Sequence, residues 1–231
     1  VASDTPPVEV EVDDEARPAQ DELTTKGAQT RRSILDAAIE RFGRDGYRST
    51  SVADIARAAG VSGSLTYAYF PNKEALFLAA ADEDAAGVIS EGLSSLLEEP
   101  ESADWRETLI ITLLAAVDHH PLARRLLAGL EPEVTARVLG VPALEELRKV
   151  IADRLRNEQL RGAVREDIDP TSLANGLVLI VLSLLMSLVQ VGPELTEVYA
   201  TDVAAVFSAA IDPLPAGTLA DGLVPDADIA D

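Results

Sequence analysis

The residues best suited to chemistry lie in one short stretch, SVADIARAAGVSGSLTYAYFPNK, residues 51–73. Two helix-like patterns meet there at a Gly-Val-Ser break. The second carries small residues and two tyrosines, with no charge before Lys73. A core helix would carry larger aliphatics and a solvated helix would carry charge, so neither accounts for it. A groove of duplex DNA does. Gly63, Ser64 and Ala68 let a helix backbone approach base edges closely, and the phenols of Tyr67 and Tyr69 can donate to phosphate oxygens. Thr50, Ser51 and Ser62 put hydroxyls at the N-terminal ends of the two short helices, where backbone amides favour phosphate. Lys73 opens the following helix and Arg31 and Arg32 open the first. A cation opposes the helix dipole at such places, and a phosphate partner would explain it.

Other chemistries find little support. Cysteine is absent, which removes thiolate catalysis and thiolate metal sites. His119 and His120 are adjacent, so on a helix they point about 100° apart and do not clasp one metal easily. They read as the polar end of a helix before Pro121. There is no Gly-rich phosphate loop, nucleophile elbow or metal-ligand cluster. The expectation is a protein that is not an enzyme and that needs no cofactor and no metal.

The elements that must position this stretch are all helical by pattern, with no convincing strand alternation. A first helix is expected over about residues 30–44, with Ile34, Leu35, Ala38, Ile39 and Phe42 as its apolar stripe and Gly46 as its stop. A second starts at Thr50 or Ser51 and ends at Gly60, with Val52, Ile55, Ala56 and Ala59 inward. Ser62 caps a third that runs to about Phe70 and is broken by Pro71-Asn72. A fourth starts near Lys73 and reaches about Glu98. Further apolar helices are expected at about 102–119, 121–130, 133–139, 142–160, 170–190 and 194–211, divided by Gly, Pro and acidic caps. Two short helices joined by a tight turn and braced by a first helix make a helix-turn-helix, whose second helix enters the major groove.

The fold class expected is therefore all-α. A three-helix DNA-binding domain spans 26–72 and a helical regulatory and dimerisation domain spans 73–211. Residues 1–25 and 212–231 are expected to be disordered tails, the first strongly acidic. The opening stretch has neither a basic nor an apolar signal region, so a cytoplasmic location is expected.

Charge is unevenly placed. The whole chain carries a net charge of −21, yet residues 24–80 hold eight bases against five acids. Whole-chain charge argues against a generic nucleic-acid binder, while local charge permits a focused contact on one face. Residues 171–193 contain no charged side chain and have the length of a bilayer crossing. Asn175, Ser183, Ser187 and Gln190 interrupt them, acids flank them, and no Lys or Arg follows Arg165. Burial in a core or subunit interface is the expectation, not a membrane.

The stretch 30–78 resembles the N-terminal DNA-binding domain of the TetR family of bacterial transcription regulators. The carriers are RRSILDAAIERFGRDGYRSTSVADIARAAGVS, then YAYF, then NKEALF, about a fifth of the chain. The resemblance implies a homodimer joined through its last two long helices, with a ligand cavity in each C-terminal domain. It implies phosphate contacts from Thr50, Tyr67, Tyr69 and Lys73, and base reading by the exposed positions of the third helix. One departure matters. Where the family often has a basic residue after Gly-Val-Ser, this chain has Gly63-Ser64-Leu65-Thr66-Tyr67. The recognition helix offers no Arg or Lys for guanine and no Asn or Gln for adenine. Readout is expected to lean on Leu65 and Ala68 against thymine methyls, on Ser64, and on DNA shape.

The expected action is repression at a near-palindromic double-stranded operator, relieved by a small hydrophobic or amphipathic effector. The apolar runs LIITLLAAV and LARRLLAGL suggest that ligand character, with Trp105, Asp118, His119 and Arg124 as polar or aromatic contacts. Leu173, Leu177, Ile180, Val181, Leu184 and Leu188 are expected to form the dimer stripe on one helix. Val203, Val206 and Phe207 would add to it from the next.

Overall fold

The computed structural model describes residues 16–98, 105–192 and 196–213. Ten helices, and no strand, are present among them: α1 Ala16–Ser49, α2 Val52–Ala58, α3 Gly63–Tyr69, α4 Lys73–Glu98, α5 Trp105–Val117, α6 Pro121–Leu127, α7 Pro132–Val138, α8 Pro142–Leu160, α9 Pro170–Val191 and α10 Thr196–Ile211. Prolines open four of them, α6 to α9. In the first turn no intrahelical donor is lost, and the fixed φ suits the helix.

The first helix begins earlier than its apolar stripe indicates. Residues 16–25, expected to belong to an unstructured tail, are helical. Pro18 falls in the first turn, where it is tolerated, and no breaker follows before Gly27. Residues 1–15 and most of the other expected tail, 214–231, lie outside the described residues. Gly46 does interrupt α1: its φ of 83° is a left-handed conformation that a side chain would strain, and one further turn follows it.

Two cores stabilise the chain. The first joins Ile34, Leu35 and Phe42 of α1, Ile55 of α2, Phe70, and Leu76 and Phe77 of α4. Phe42 and Tyr47 both pack on Phe77, each with ring centroids within 5.0 Å of it. This core does not close at residue 72, the expected domain boundary. It takes in Phe77 from α4 and Leu122, Leu126 and Val134 from α6 and α7. Gly43 permits the approach, since a Cβ there would stand 2.8 Å from the backbone of Pro121. The second core fills the body, with Leu113 and Val117 of α5, Ile151 and Leu155 of α8, Val178 and Leu185 of α9, and Phe207 and Ile211 of α10.

α9 is the helix among the described residues that is long and apolar enough to cross a bilayer. One side of it is core instead: Ala174, Leu177, Val178, Val181, Leu185 and Leu188 are buried against the rest of the chain. The expected dimer stripe is thereby corrected. Leu177, Val181 and Leu188 face inward, Leu173 and Leu184 are half-buried against the body core, and Phe207 is 4% exposed. Ile180 and Val206 stay on the surface, joined there by Leu179 and Val191. The seven-residue spacing of the stripe was right for an amphipathic helix. In a helix apolar on nearly all sides, that spacing does not tell which side the chain itself covers.

Candidate functional site

The short helices are fixed by their caps. Ser51 Oγ accepts from the Asp54 amide at 3.1 Å and donates to its carboxylate at 2.6 Å. This hydroxyl, with Arg57 beside it, holds the Asp54 carboxyl below the usual aspartate range. Ser62 Oγ accepts from the Leu65 amide at 3.2 Å, and its carbonyl accepts from Thr66 Oγ1 at 3.2 Å. Thr66 is fully buried and turns α3 so that Ser64, Leu65, Tyr67 and Ala68 share the solvent face. Leu65 is 40% and Tyr67 53% exposed. Gly63 is open to space on its Cα side. Tyr69 is half-buried, with its hydroxyl near Gly27 of α1. Arg31 stands over the Phe70 ring at 5.6 Å with its guanidinium exposed. The result is a rigid, small-residue, uncharged ridge with a cation at its flank.

Three expected contacts are engaged elsewhere. Thr50 is 3% exposed, and its hydroxyl donates to the carbonyl of Gly46 at 2.8 Å and approaches that of Arg41 at 3.3 Å. It closes the C-terminal end of α1 and does not face outward. Arg32 bridges Asp36 at 3.0 Å and Glu83 of α4 at 2.9 Å, tying two helices together. Lys73 lies over the Tyr47 ring at 4.4 Å with its ammonium 3.4 Å from the carbonyl of Arg48. The cation that opposes the dipole of its own helix thus serves the C-terminal carbonyls of α1. Sequence spacing could not show this, because the partner lies 25 residues away.

Thr50→Val should lower stability by about 1–2 kcal/mol, the loss of a buried hydroxyl's bonds. It should leave DNA affinity of the folded protein within about twofold of wild type, unlike loss of a phosphate contact. Urea denaturation and DNA titration well below the melting point check both halves. Burial also lowers the Lys73 pKa below 10.5, against a smaller opposing effect of Glu131. The unfolded chain then holds this proton more tightly, so stability should rise as pH climbs from the lowered value to 10.5. Urea midpoints of wild type and Lys73→Met across that interval should diverge, with the slope smaller in the variant.

Behind this ridge lies a junction that sequence spacing does not show. Glu131, before α7, is buried; it accepts from Arg125 Nε at 2.6 Å and from the Tyr47 amide at 3.2 Å. A Cβ on Gly46 would stand 2.7 Å from its carboxylate. Arg48 pairs with Glu133 alongside. The α6–α7 corner thus holds the end of α1. Only the Gly at 46 hinted at a close approach.

Within the body a cavity of about 110 Å³ lies among α4, α5, α6, α7, α8 and α9, lined by apolar side chains alone. The expected ligand contacts do not reach it. Trp105 is buried under the Arg154 guanidinium, 4.7 Å from its ring centroid, beside a separate, smaller void. Asp118 and Arg124 pair with each other on the surface, and His119 lies exposed near Glu91. Its neighbour His120 does more than end a helix: Nδ1 is 2.8 Å from the buried Asp84 carboxylate. No cluster able to hold a metal occurs among the described residues.

A helix-turn-helix head with its reading face free, mounted on a helical body around an apolar cavity, defines a DNA-binding regulator architecture. Comparison with known proteins agrees. Residues 34–80 match the family described as bacterial regulatory proteins, tetR family. The HTH-type transcriptional repressor Rv1474c of Mycobacterium tuberculosis is 31% identical over 149 residues, covering 61% of this chain and 72% of that protein. The HTH-type transcriptional repressor AcnR of Corynebacterium glutamicum is 38% identical over 88 residues, covering 35% of this chain and 47% of that protein. A crystal structure assigned to the TetR-family regulators, from Mesorhizobium loti, superposes with a TM-score of 0.62 at 27% identity, over 80% of this chain and 98% of that one. The chain belongs to the TetR family: it is a DNA-binding transcription regulator and not an enzyme.

Proposed function

We propose that this regulator acts as a repressor in the cytoplasm, binding a near-palindromic operator as a homodimer and leaving it when a small hydrophobic ligand enters the body. The observation that carries the DNA reading is the ridge Ser64, Leu65, Tyr67 and Ala68, held outward by the burial of Thr66 and Phe70. Its chemistry suits thymine methyls and sugars, with Ser64 and groove shape adding discrimination. Ser62, Tyr69 and Arg31 border it and supply phosphate partners, while the Ser51 hydroxyl is spent on Asp54. The head, residues 26–72, works as a unit with the start of α4. Two relatives that carry the name repressor support that direction of control.

Homodimerisation through α9 and α10 is supported by the apolar side chains they leave uncovered. Leu179 is 52% and Val206 62% exposed, with Ser183, Ser187, Ala205 and Ala209 around them, small enough for helices to pack closely. A two-fold axis through this face sets two α3 ridges on successive major grooves, hence the near-palindrome. Leu179→Glu should leave the chain folded and monomeric at micromolar concentration, read by sedimentation equilibrium.

Fluorescence anisotropy with the DNA upstream of the protein's own gene tests the function. Binding at low ionic strength should weaken at least about tenfold on passing from 50 to 200 mM salt, as phosphate contacts release counterions. Absence of binding at low salt would overturn the reading.

A further inference from the structure

The cavity in the body also indicates what kind of ligand it takes, an inference that rests on the effector reading above. Its walls come from Ala85 and Val88 of α4, Leu126 of α6, and Val181, Leu182 and Met186 of α9, with other Ala, Val, Leu and Ile side chains between them. No aromatic ring and no polar or charged side chain belongs to the lining. The nearest buried polar groups are already satisfied. Asp84, one residue before Ala85, spends Oδ1 on His120 Nδ1 at 2.8 Å and Oδ2 on the Ala123 amide at 2.7 Å. A ligand hydroxyl or carboxylate pushed into this space would lose its water and find no partner, which costs about tenfold to a hundredfold in affinity. Leu139, which also lines the cavity, is 42% exposed, so one side of the cavity meets solvent.

We infer that the effector is an amphiphile with an unbranched or methyl-branched aliphatic chain, whose terminal carbons fill this cavity while its polar end stays at the solvent side. A volume of about 110 Å³ suits roughly four carbons, since an apolar cavity of about 150 Å³ takes the six of benzene. Each carbon buried strengthens binding about fourfold. Selection is by chain length and thickness, because an aliphatic wall distinguishes little else.

Met186 provides the measurement. It is the sole methionine of the sequence and lines the cavity, so a ¹³C-methyl label on methionine reports from inside it. The full chain is titrated with n-alkanols from butanol to decanol. The Met186 resonance should shift, with affinity rising about fourfold per carbon over roughly four carbons and then levelling. Octane-1,8-diol should bind at least tenfold more weakly than octan-1-ol. Leu182→Ala enlarges the cavity and should move the levelling point two or three carbons later, and Ala85→Leu fills it and should weaken every alkanol by tenfold or more. A flat chain-length series, an equal affinity for the diol, or a levelling point unmoved by Leu182→Ala would each overturn the inference. Anisotropy with the upstream DNA separates the two readings. DNA binding with no chain-length response refutes the ligand class alone, and a chain-length response without DNA binding refutes the operator reading alone.

Discussion

Ala68→Glu should abolish operator binding, weakening it by a hundredfold or more, while leaving the melting temperature unchanged. Ala68 lies on the solvent side of α3, between Tyr67 and the half-buried Tyr69, and touches no core. Surface substitutions of this kind cost under about 0.5 kcal/mol of stability. In the complex the new carboxylate would enter a groove walled by phosphates, where like charge and lost hydration both count against it. The ridge is otherwise uncharged, so no neighbouring cation on α3 would offset it. Ala68→Ser is the control: it is small and polar, and its loss should be within about tenfold. Anisotropy with the upstream DNA gives the affinities and a thermal melt gives the stability. If Ala68→Glu bound as well as wild type, α3 would not be the reading helix.

Most of this architecture was legible because helices advertise themselves locally. Ser62 ahead of Gly63, Gly46 after the first stripe, and Pro142 and Pro170 at later starts mark boundaries through caps and forbidden backbone conformations, which need no knowledge of the partner. The solvent face of α3 was legible for the same reason: a helix with small residues and tyrosine, and no charge, has few other uses. What sequence could not give was direction in three dimensions. Thr50 reads as a cap whether its hydroxyl turns outward or back to Gly46, as it does. Lys73 reads as an orphan cation until Tyr47 and Arg48 are folded beside it. On α9 the apolar positions outnumber one face, so periodicity alone left the core side and the free side undivided. The cavity was the hardest case. Trp105, Asp118, His119 and Arg124 drew attention as the chemically distinctive residues of the body, yet the space is bounded by its least distinctive ones.

Glu131→Ala should destabilise the protein by about 3 kcal/mol, because it strips a buried charge pair of one member. The side chains of Arg125 and Glu131 are 23% and 9% exposed. Removal leaves the guanidinium facing a small void and the Tyr47 amide without its acceptor, and each loss carries a desolvation cost. Gln at 131 keeps an oxygen for the Tyr47 amide but loses the charge, so Glu131→Gln should lie between wild type and Ala. Replacing both partners removes the uncompensated charge. Arg125→Met with Glu131→Leu should therefore be less destabilised than the sum of the singles, with a coupling of about 1–3 kcal/mol in a double-mutant cycle. Denaturant titrations of the four proteins measure it. A second readout is local: hydrogen exchange at the Tyr47 amide should quicken in Glu131→Ala even under conditions where the rest of α1 stays protected. The position gives this its weight. α6 supplies Leu126 to the head core and to the cavity wall alike, and its corner with α7 carries the carboxylate that holds α1 at its kink. With Ala81 of α4 and Val138 of α7, which also belong to both, this corner joins the cavity wall to the core beneath α3. If the cycle showed no coupling and Tyr47 exchange were unchanged, the corner would be a passive contact and the head would be held by its aliphatic core alone.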